Sequence, residues 1–223
     1  MAGGYYHVLN RGNNRSVVFR APAEYAGFFD LLTSAQQRIR LDLFAVCLMP
    51  NHFHLVARAG HRDDISRWMH WLLTTHAHRF HMRQGSVGRV WQGRFKAFPI
   101  EEDAHLVTVM RYVERNALRA GLVARAQDWE WGSLALRFGG MCDEFLARPP
   151  VPLPSDWAEF VNAPQTPAEL DAIRTCVNRQ RPFGSDAWVL NSAATLGLQG
   201  SLRRPGRPKK VAVVAPRSSW GGT

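Results

Sequence analysis

Apolar and polar positions change period several times along this chain, and each change predicts an element. Tyr5 to Asn10 reads as a short strand that stops at Arg11-Gly12-Asn13-Asn14-Arg15, a basic run of turn formers. Pro22 opens a helix, where its missing N–H has no intrahelical partner to lose. Tyr25, Phe28, Phe29, Leu32, Ala35 and Ile39 then recur at helical spacing, predicting an amphipathic helix to about Arg40. Leu43 to Leu48 is continuously apolar and too short for a helix, as a central strand would be. His52 to Arg58 is the next strand, paired with it across Met49-Pro50-Asn51. Asp63 and Asp64 mark a helix start, and Ile65, Trp68, Met69, Leu72 and Phe80 supply its buried stripe. Trp91 to Ile100 is expected to be extended, with Arg94 and Lys96 on one face and Phe95 and Ala97 on the other. Glu101-Glu102-Asp103 opens a last helix, which runs to about Arg119 and stops at Gly121.

The order strand, helix, strand, strand, helix, strand, helix predicts an α+β fold, a ferredoxin-like antiparallel sheet with helices packed on it. Residues 1–135 form the main domain. Residues 136–200 read as a partly helical C-terminal extension with a proline-rich linker over 149–167, and residues 201–223 as a basic, Pro/Gly-rich, disordered tail.

Composition adds a partner. The 223 residues are 46% hydrophobic, enough for a real core, and carry a net charge of +10, which points to a polyanion, nucleic acid before membrane. Cys47, Cys142 and Cys176 are an odd, widely spaced set that excludes a disulfide framework and a cysteine zinc site. The N-terminus has no signal-peptide pattern and no apolar run approaches a membrane span, so a soluble, intracellular protein with no small-molecule substrate is expected.

The chemistry starts at His52-Phe53-His54. On a strand, the period of two puts both imidazoles on one face, where together they could hold one metal ion. Taken alone, such a pair is more often a half-exposed strand pair. On the helix from 103 to 119, Tyr112 and Asn116 lie one turn apart at the border of the stripe Leu106, Val109, Met110, Val113 and Ala117, with His105 on the same face two turns earlier. Arg111, Arg115 and Arg119 form a second column, expected to lie away from the core and to face either solvent or phosphates. A phenol is a weak nucleophile until assisted. A divalent ion on His52 and His54, with the Asn116 amide oxygen as third ligand, would bind phosphodiester oxygens and leave room for substrate. Imidazoles alone favour zinc or nickel; an amide and phosphate oxygens suit magnesium or manganese.

These residues resemble the REP-associated tyrosine transposases, a branch of the single-tyrosine HUH transposases. The resemblance runs in order through Tyr6-His7-Val8 to Arg11-Gly12-Asn13-Asn14-Arg15, Cys47-Leu48-Met49-Pro50-Asn51-His52-Phe53-His54-Leu55, Trp91-Gln92-Gly93-Arg94-Phe95, and Tyr112-Val113-Glu114-Arg115-Asn116 with Ala120-Gly121-Leu122-Val123. Fainter matches follow at Trp131-Gly132-Ser133 and Arg181-Pro182-Phe183-Gly184-Ser185. The resemblance implies Tyr112 as nucleophile and His52, His54 and Asn116 as ligands of Mg²⁺ or Mn²⁺. It also implies a covalent 5′-phosphotyrosine with a free 3′-OH on single-stranded DNA, at a hairpin from repetitive extragenic palindromes. Nucleic-acid contacts would come from Arg11, Asn13, Arg15, Gln92, Arg94, Lys96, Arg115 and Arg119, and in the tail from Arg207, Lys209 and Lys210. A bacterial cytoplasmic protein bound to the nucleoid through DNA is expected, acting as a monomer, with a dimer that exchanges its tyrosine helices as the alternative. Where the family has Pro after the helix Asn, this chain has Ala117, which should let the helix continue.

Two other functions fit the same residues: a domesticated, non-catalytic hairpin-binding module, and a site-specific nickase of the rolling-circle type. Other features have bland readings beside the sharp ones. His76, His78 and His81 do not share a helical face and read as solvated or phosphate-facing. Trp91, Phe95 and Phe98 could stack on unpaired bases, although Phe95 reads better as core. Arg203 to Lys210 resembles an AT-hook or a plain basic tail.

Overall fold

The computed structural model describes residues 3–61, 63–139 and 145–203. Strands β1 (Tyr5–Arg11), β2 (Asp42–Met49), β3 (His52–Arg58) and β4 (Lys96–Ile100) pair antiparallel in the order β2-β3-β1-β4. Helix α1 (Pro22–Arg38) lies between β1 and β2, α2 (Asp64–Gln84) between β3 and β4, and α3 (Ala104–Glu114) follows β4. This is the ferredoxin-like arrangement.

The two faces of the sheet bury different sets. Val8, Val46, Leu48, Phe53 and Leu55 face α1 and α2, which contribute Phe28, Leu32, Trp68, Met69 and Leu72. Tyr5, Cys47, Met49, Val56, Phe98 and Ile100 face α3, which contributes Leu106, Val109, Met110 and Val113. The same alternation along β3 puts His52 and His54 on the α3 face. Among the described residues no helix is long and apolar enough to cross a membrane. Cys47 and Cys176 are free and buried, and Cys142 lies outside the described residues.

Chain beyond α3 covers both sheet edges, which would otherwise expose unpaired backbone groups. At β2, Leu48 N–H donates to the Trp131 carbonyl at 2.9 Å and Cys47 bridges Gly132. At β4, the Phe183 N–H donates to Pro99 and the Glu101 N–H to Phe183, both at 2.9 Å. Helices Trp157–Asn162 and Pro167–Arg179 bury Trp157, Val161, Ile173 and Cys176 in the α3 layer, so α3 is covered on both sides.

Several expectations need correction. The extended run expected from Trp91 begins only at Lys96, because Gly93 (φ 68°) turns the backbone through the left-handed region. The segment before it lies against the end of β1 instead, where Gln92 N–H donates to the Arg11 carbonyl at 2.8 Å and Trp91 bridges Gly12. The last helix is not continuous. It ends at Glu114 and resumes as α4 (Asn116–Arg119) across Arg115, whose ψ of −4° lies off the helical value. Side chains on either side of that break are anchored to different partners, Glu114 to Ser133 and Trp157, and Arg115 to the carbonyls of Val161 and Asn162. The stretch read as a disordered tail from 201 begins inside a short helix, Gln199–Leu202, and is described to Arg203.

Candidate metal and nucleophile site

His52 and His54 sit at the start of β3, just after the Pro50-Asn51 turn. They are flanked by Arg11 and Leu9 of β1 and by Met49 and Cys47 of β2. Their rings lie 5.0 Å apart and nearly perpendicular. Each Nδ1 has a partner: that of His52 lies 2.7 Å from Asn51 Oδ1, and that of His54 lies 2.8 Å from Nε2 of His7. Burial depresses all three imidazoles. His7 is pushed down to about 3, His52 to about 4 by burial and then by the Arg11 and Arg119 charges, and His54 well below its usual value by burial and its neighbours. At neutral pH the three rings are therefore uncharged, the form whose lone pair can coordinate a metal.

Helix α3 reaches this cluster through Tyr112. Its ring meets that of His54 at 5.9 Å and that of His7 at 6.0 Å, both edge-on. Arg119 lies 4.3 Å over the Tyr112 ring and donates from Nη2 to Asn116 Oδ1 at 2.8 Å. One cation thus bridges the phenol and the amide across the helix break. Asn116 is 2% exposed and its Nδ2 has no partner; Arg119 Nη1 is likewise buried and unpartnered. His54 and His7 meet Tyr112, and Arg119 joins Tyr112 to Asn116 on the α3 face, although its column of arginines is expected to lie away from the core.

The family model for transposases of the IS200-like kind matches residues 1–116, just over half of the chain and ending on Asn116. The chain belongs to the IS200-like transposase family. Among solved structures, it is similar to a REP-associated tyrosine transposase bound to a REP hairpin, with a TM-score of 0.53 and 18% identity over 74% of this chain and 94% of that one. A candidate transposase from Deinococcus radiodurans R1 matches at a TM-score of 0.39 and 20% identity, over 51% of this chain and 91% of that one. At these identities the first likeness speaks for the fold. Among curated proteins none matches the chain.

The other expected contact residues of this transposase fall into three groups. Arg11, Arg15, Gln92 and Arg94 are exposed, and Asn13 is half-buried beside them. Asn14 (φ 52°) and Arg15 (φ 60°) hold left-handed backbone, which is uncommon outside glycine. Lys96 and Arg115 are committed within the chain. Lys96 Nζ donates to the Val177 carbonyl at 3.3 Å, and Arg115 Nη1 to that of Val161 at 2.9 Å. Arg207, Lys209 and Lys210, with the AT-hook-like tail, lie outside the described residues.

The arginine column does not lie away from the core. Arg111 is 6% exposed, stacks 4.1 Å over Phe160 and donates to the Ala163 carbonyl, because the C-terminal helices cover that side of α3. Nor is His76 solvated; it is buried against Phe28 and Trp91. Trp91 and Phe98 are buried in the two cores and do not present faces for bases. Phe95 packs partly buried against the α1–α2 core, as expected.

Three residues escaped the sequence reading. His7 had a signal, since alternation along β1 places it on the face of Arg11, but only the register of β1 against β3 brings it to His54. Asn51 looked like a turn former. Glu114 is fully buried and accepts from Ser133 Oγ at 2.6 Å, Trp157 Nε1 at 2.6 Å and Arg137 Nε at 3.0 Å, tying α3 to the chain that follows it. Among the described residues, the one group of three His, Cys, Asp or Glu side chains close enough to share an ion is Glu101, Asp103 and His105, at the start of α3. Its members are already engaged: Asp103 accepts from the His105 ring at 2.7 Å and from its backbone N–H, and Glu101 accepts from the Ser185 N–H at 2.6 Å.

Proposed function

We propose that this transposase cleaves and rejoins hairpin-bearing single-stranded DNA by phosphodiester transesterification at Tyr112. The observation that carries the reading is the contact of Tyr112 with the rings of His54 and His7, which gives a nucleophile beside two neutral imidazoles, with His52 next to His54. In the reaction Tyr112 Oη attacks phosphorus and the 3′ oxygen leaves. The phenol proton passes formally to that oxygen, and a 5′-phosphotyrosine remains. Because the linkage conserves the bond energy, the 3′-OH can attack it and restore the phosphodiester without ATP.

The donor set fits a divalent ion. His52 and His54 are neutral with Nδ1 engaged, which leaves Nε2 on each, and Asn116 Oδ1 has a second lone pair beyond the one used by Arg119. His52, His54 and Asn116 would hold the ion. When bound, Mg²⁺ or Mn²⁺ supplies Lewis-acid polarisation of the phosphate oxygens. The chain itself supplies the rest. Arg119 positions the phenol and the amide together, and its unpartnered Nη1 is a donor for an anionic group. Arg11, Arg15 and Arg94 offer exposed cations for flanking phosphates. The net charge of +10 and the REP hairpin held by the similar structure support hairpin DNA as substrate.

A denaturing gel tests the reading. Labelled hairpin DNA with Mn²⁺ should give a covalent protein–DNA band that Tyr112→Phe abolishes. Hairpin binding with no covalent band from the unaltered protein, or a band undiminished by Tyr112→Phe, would overturn it in favour of a binding module.

A further inference from the structure

We infer that Asn51 and His7 are positioning residues that set the tautomers of the two metal-binding histidines, and that Asn51 also ties the basic turn to the metal site. The inference rests on the metal-dependent reading above. Asn51 Nδ2 donates to the Arg15 carbonyl at 3.1 Å. A carbonyl only accepts, so the amide must turn Oδ1 toward His52, whose Nδ1 lies 2.7 Å away. That oxygen also only accepts. The His52 proton is therefore on Nδ1, and its lone pair on Nε2.

His54 is oriented in the same sense. In its 2.8 Å contact with His7, one ring nitrogen must donate to the other. Only when His54 Nδ1 is the donor does its Nε2 keep a lone pair for a metal. His7 then serves as acceptor through Nε2. This ring is fully buried, lies 4.9 Å from Phe98, and its Nδ1 has no partner, so the contact with His54 is the one use of its polarity. Packing alone would be served at lower desolvation cost by an apolar side chain. Such outer partners hold ligand imidazoles in one tautomer and one orientation.

Asn51 has a second connection. Its backbone carbonyl accepts from Gly12 N–H at 2.7 Å, and the adjacent Pro50 carbonyl accepts from Val18 and Phe19 N–H at 2.8 and 2.9 Å. The turn from Arg11 to Phe19, including the left-handed Asn14 and Arg15, is thus laced onto the two residues that precede His52. A β-carbon at Gly12 would fall 2.3 Å from the Ser16 carbonyl oxygen, so only glycine fits this close turn. Nucleic acid on Arg11 and Arg15 and metal on His52 are expected to favour each other through this one side chain.

Titration of the DNA-free protein with Mn²⁺, followed by calorimetry, tests the assignment. His7→Leu and Asn51→Ala should each weaken Mn²⁺ binding by roughly 10–100-fold. His7→Gln and Asn51→Asp, which restore an acceptor oxygen, should recover most of it. Asn51→Asp lacks the donor to Arg15, so it should also lose the gain in hairpin affinity that Mn²⁺ gives the unaltered protein. Ring-nitrogen NMR of the unaltered, metal-free protein should show His52 and His54 protonated on Nδ1, a result that stands even if a variant fails to fold. Protonation on Nε2, or folded His7→Leu and Asn51→Ala proteins that bind Mn²⁺ as tightly as the unaltered chain, would overturn the inference. An unaltered protein with these tautomers but no affinity for Mn²⁺ would instead overturn the metal-dependent reading beneath it.

Discussion

Two buried imidazoles flank the central sheet from opposite sides, His54 on the α3 face and His76 on α2 above the other. His54 is 3% exposed and His76 7%, and burial depresses both, His76 to about 4. Their surroundings differ. His76 is ringed by Phe19, Phe28, Phe80 and Trp91 at 5.0 to 6.2 Å, and its Nδ1 has no partner. His54 hydrogen-bonds His7 and stands beside His52 and Tyr112. Both belong to an H-x-H sequence, but on the strand the second histidine shares the face, whereas on the helix His78 points to solvent. Burial makes both imidazoles neutral; a hydrogen-bond partner, a second imidazole and a nearby phenol set His54 apart.

The sharpest way to break this contrast is to remove each ring. His54→Ala should lower covalent adduct formation at least about 10³-fold, as loss of one member of a concerted site does. Hairpin binding, being mainly electrostatic, should change little. His76→Phe should leave adduct yield within about threefold, because it alters only packing. Equal losses in the two variants, scored on the same gel, would erase the distinction.

The hydrogen-bonded carboxylate of Glu114 offers a second comparison with His76, whose Nδ1 has no partner. Glu114→Ala strands Arg137 and the hydroxyl of Ser133 between α3 and the chain after it, so it should destabilise the fold by roughly 3–5 kcal/mol, read from urea unfolding. His76→Phe should cost less than about 1.5 kcal/mol at pH 8.

Acid should separate them further. The folded His76 pKa is about 4 against an ordinary 6.5. Above pH 6.5 both folded and unfolded chains keep this ring neutral and its contribution is complete. Between pH 6.5 and 4 the unfolded chain takes up the proton first, so stability falls with pH. His76→Phe should flatten that fall without abolishing it, since His7, His52 and His54 are shifted the same way. The smallest effect is expected at the rim. Arg15→Ala should weaken hairpin binding a few-fold and reduce the slope of log affinity against log salt by about 1.

Much of this was legible from period alone. The stripes of α1 and α2 follow from local spacing because each helix packs mainly on one side; the β2–β3 pair follows from a continuous apolar run and a turn, and the common face of His52 and His54 from the period of two. Residues with two neighbours were not. Arg111 and Arg115 looked solvated on a helical wheel, but the wheel says nothing of chain 46 to 53 residues later, whose carbonyls accept from them. The break at Arg115 has no proline or glycine to announce it; it falls between side chains anchored in different directions. His76 is buried where solvation is expected for a related reason. Its polar name outweighed its place, four residues after Leu72, on the buried stripe. His7 needed strand register, which alternation along one strand cannot supply.

The central claim is that Tyr112 on α3 and the histidines on β3 form one phosphodiester-cleaving site. Mass-spectrometric mapping of the protein–DNA adduct formed with Mn²⁺ tests it most directly. The account predicts a single modified peptide, joined through Tyr112 to a 5′ phosphate, and its absence in His52→Ala. Attachment at any other residue, or an adduct at Tyr112 that persists undiminished in His52→Ala, would contradict it.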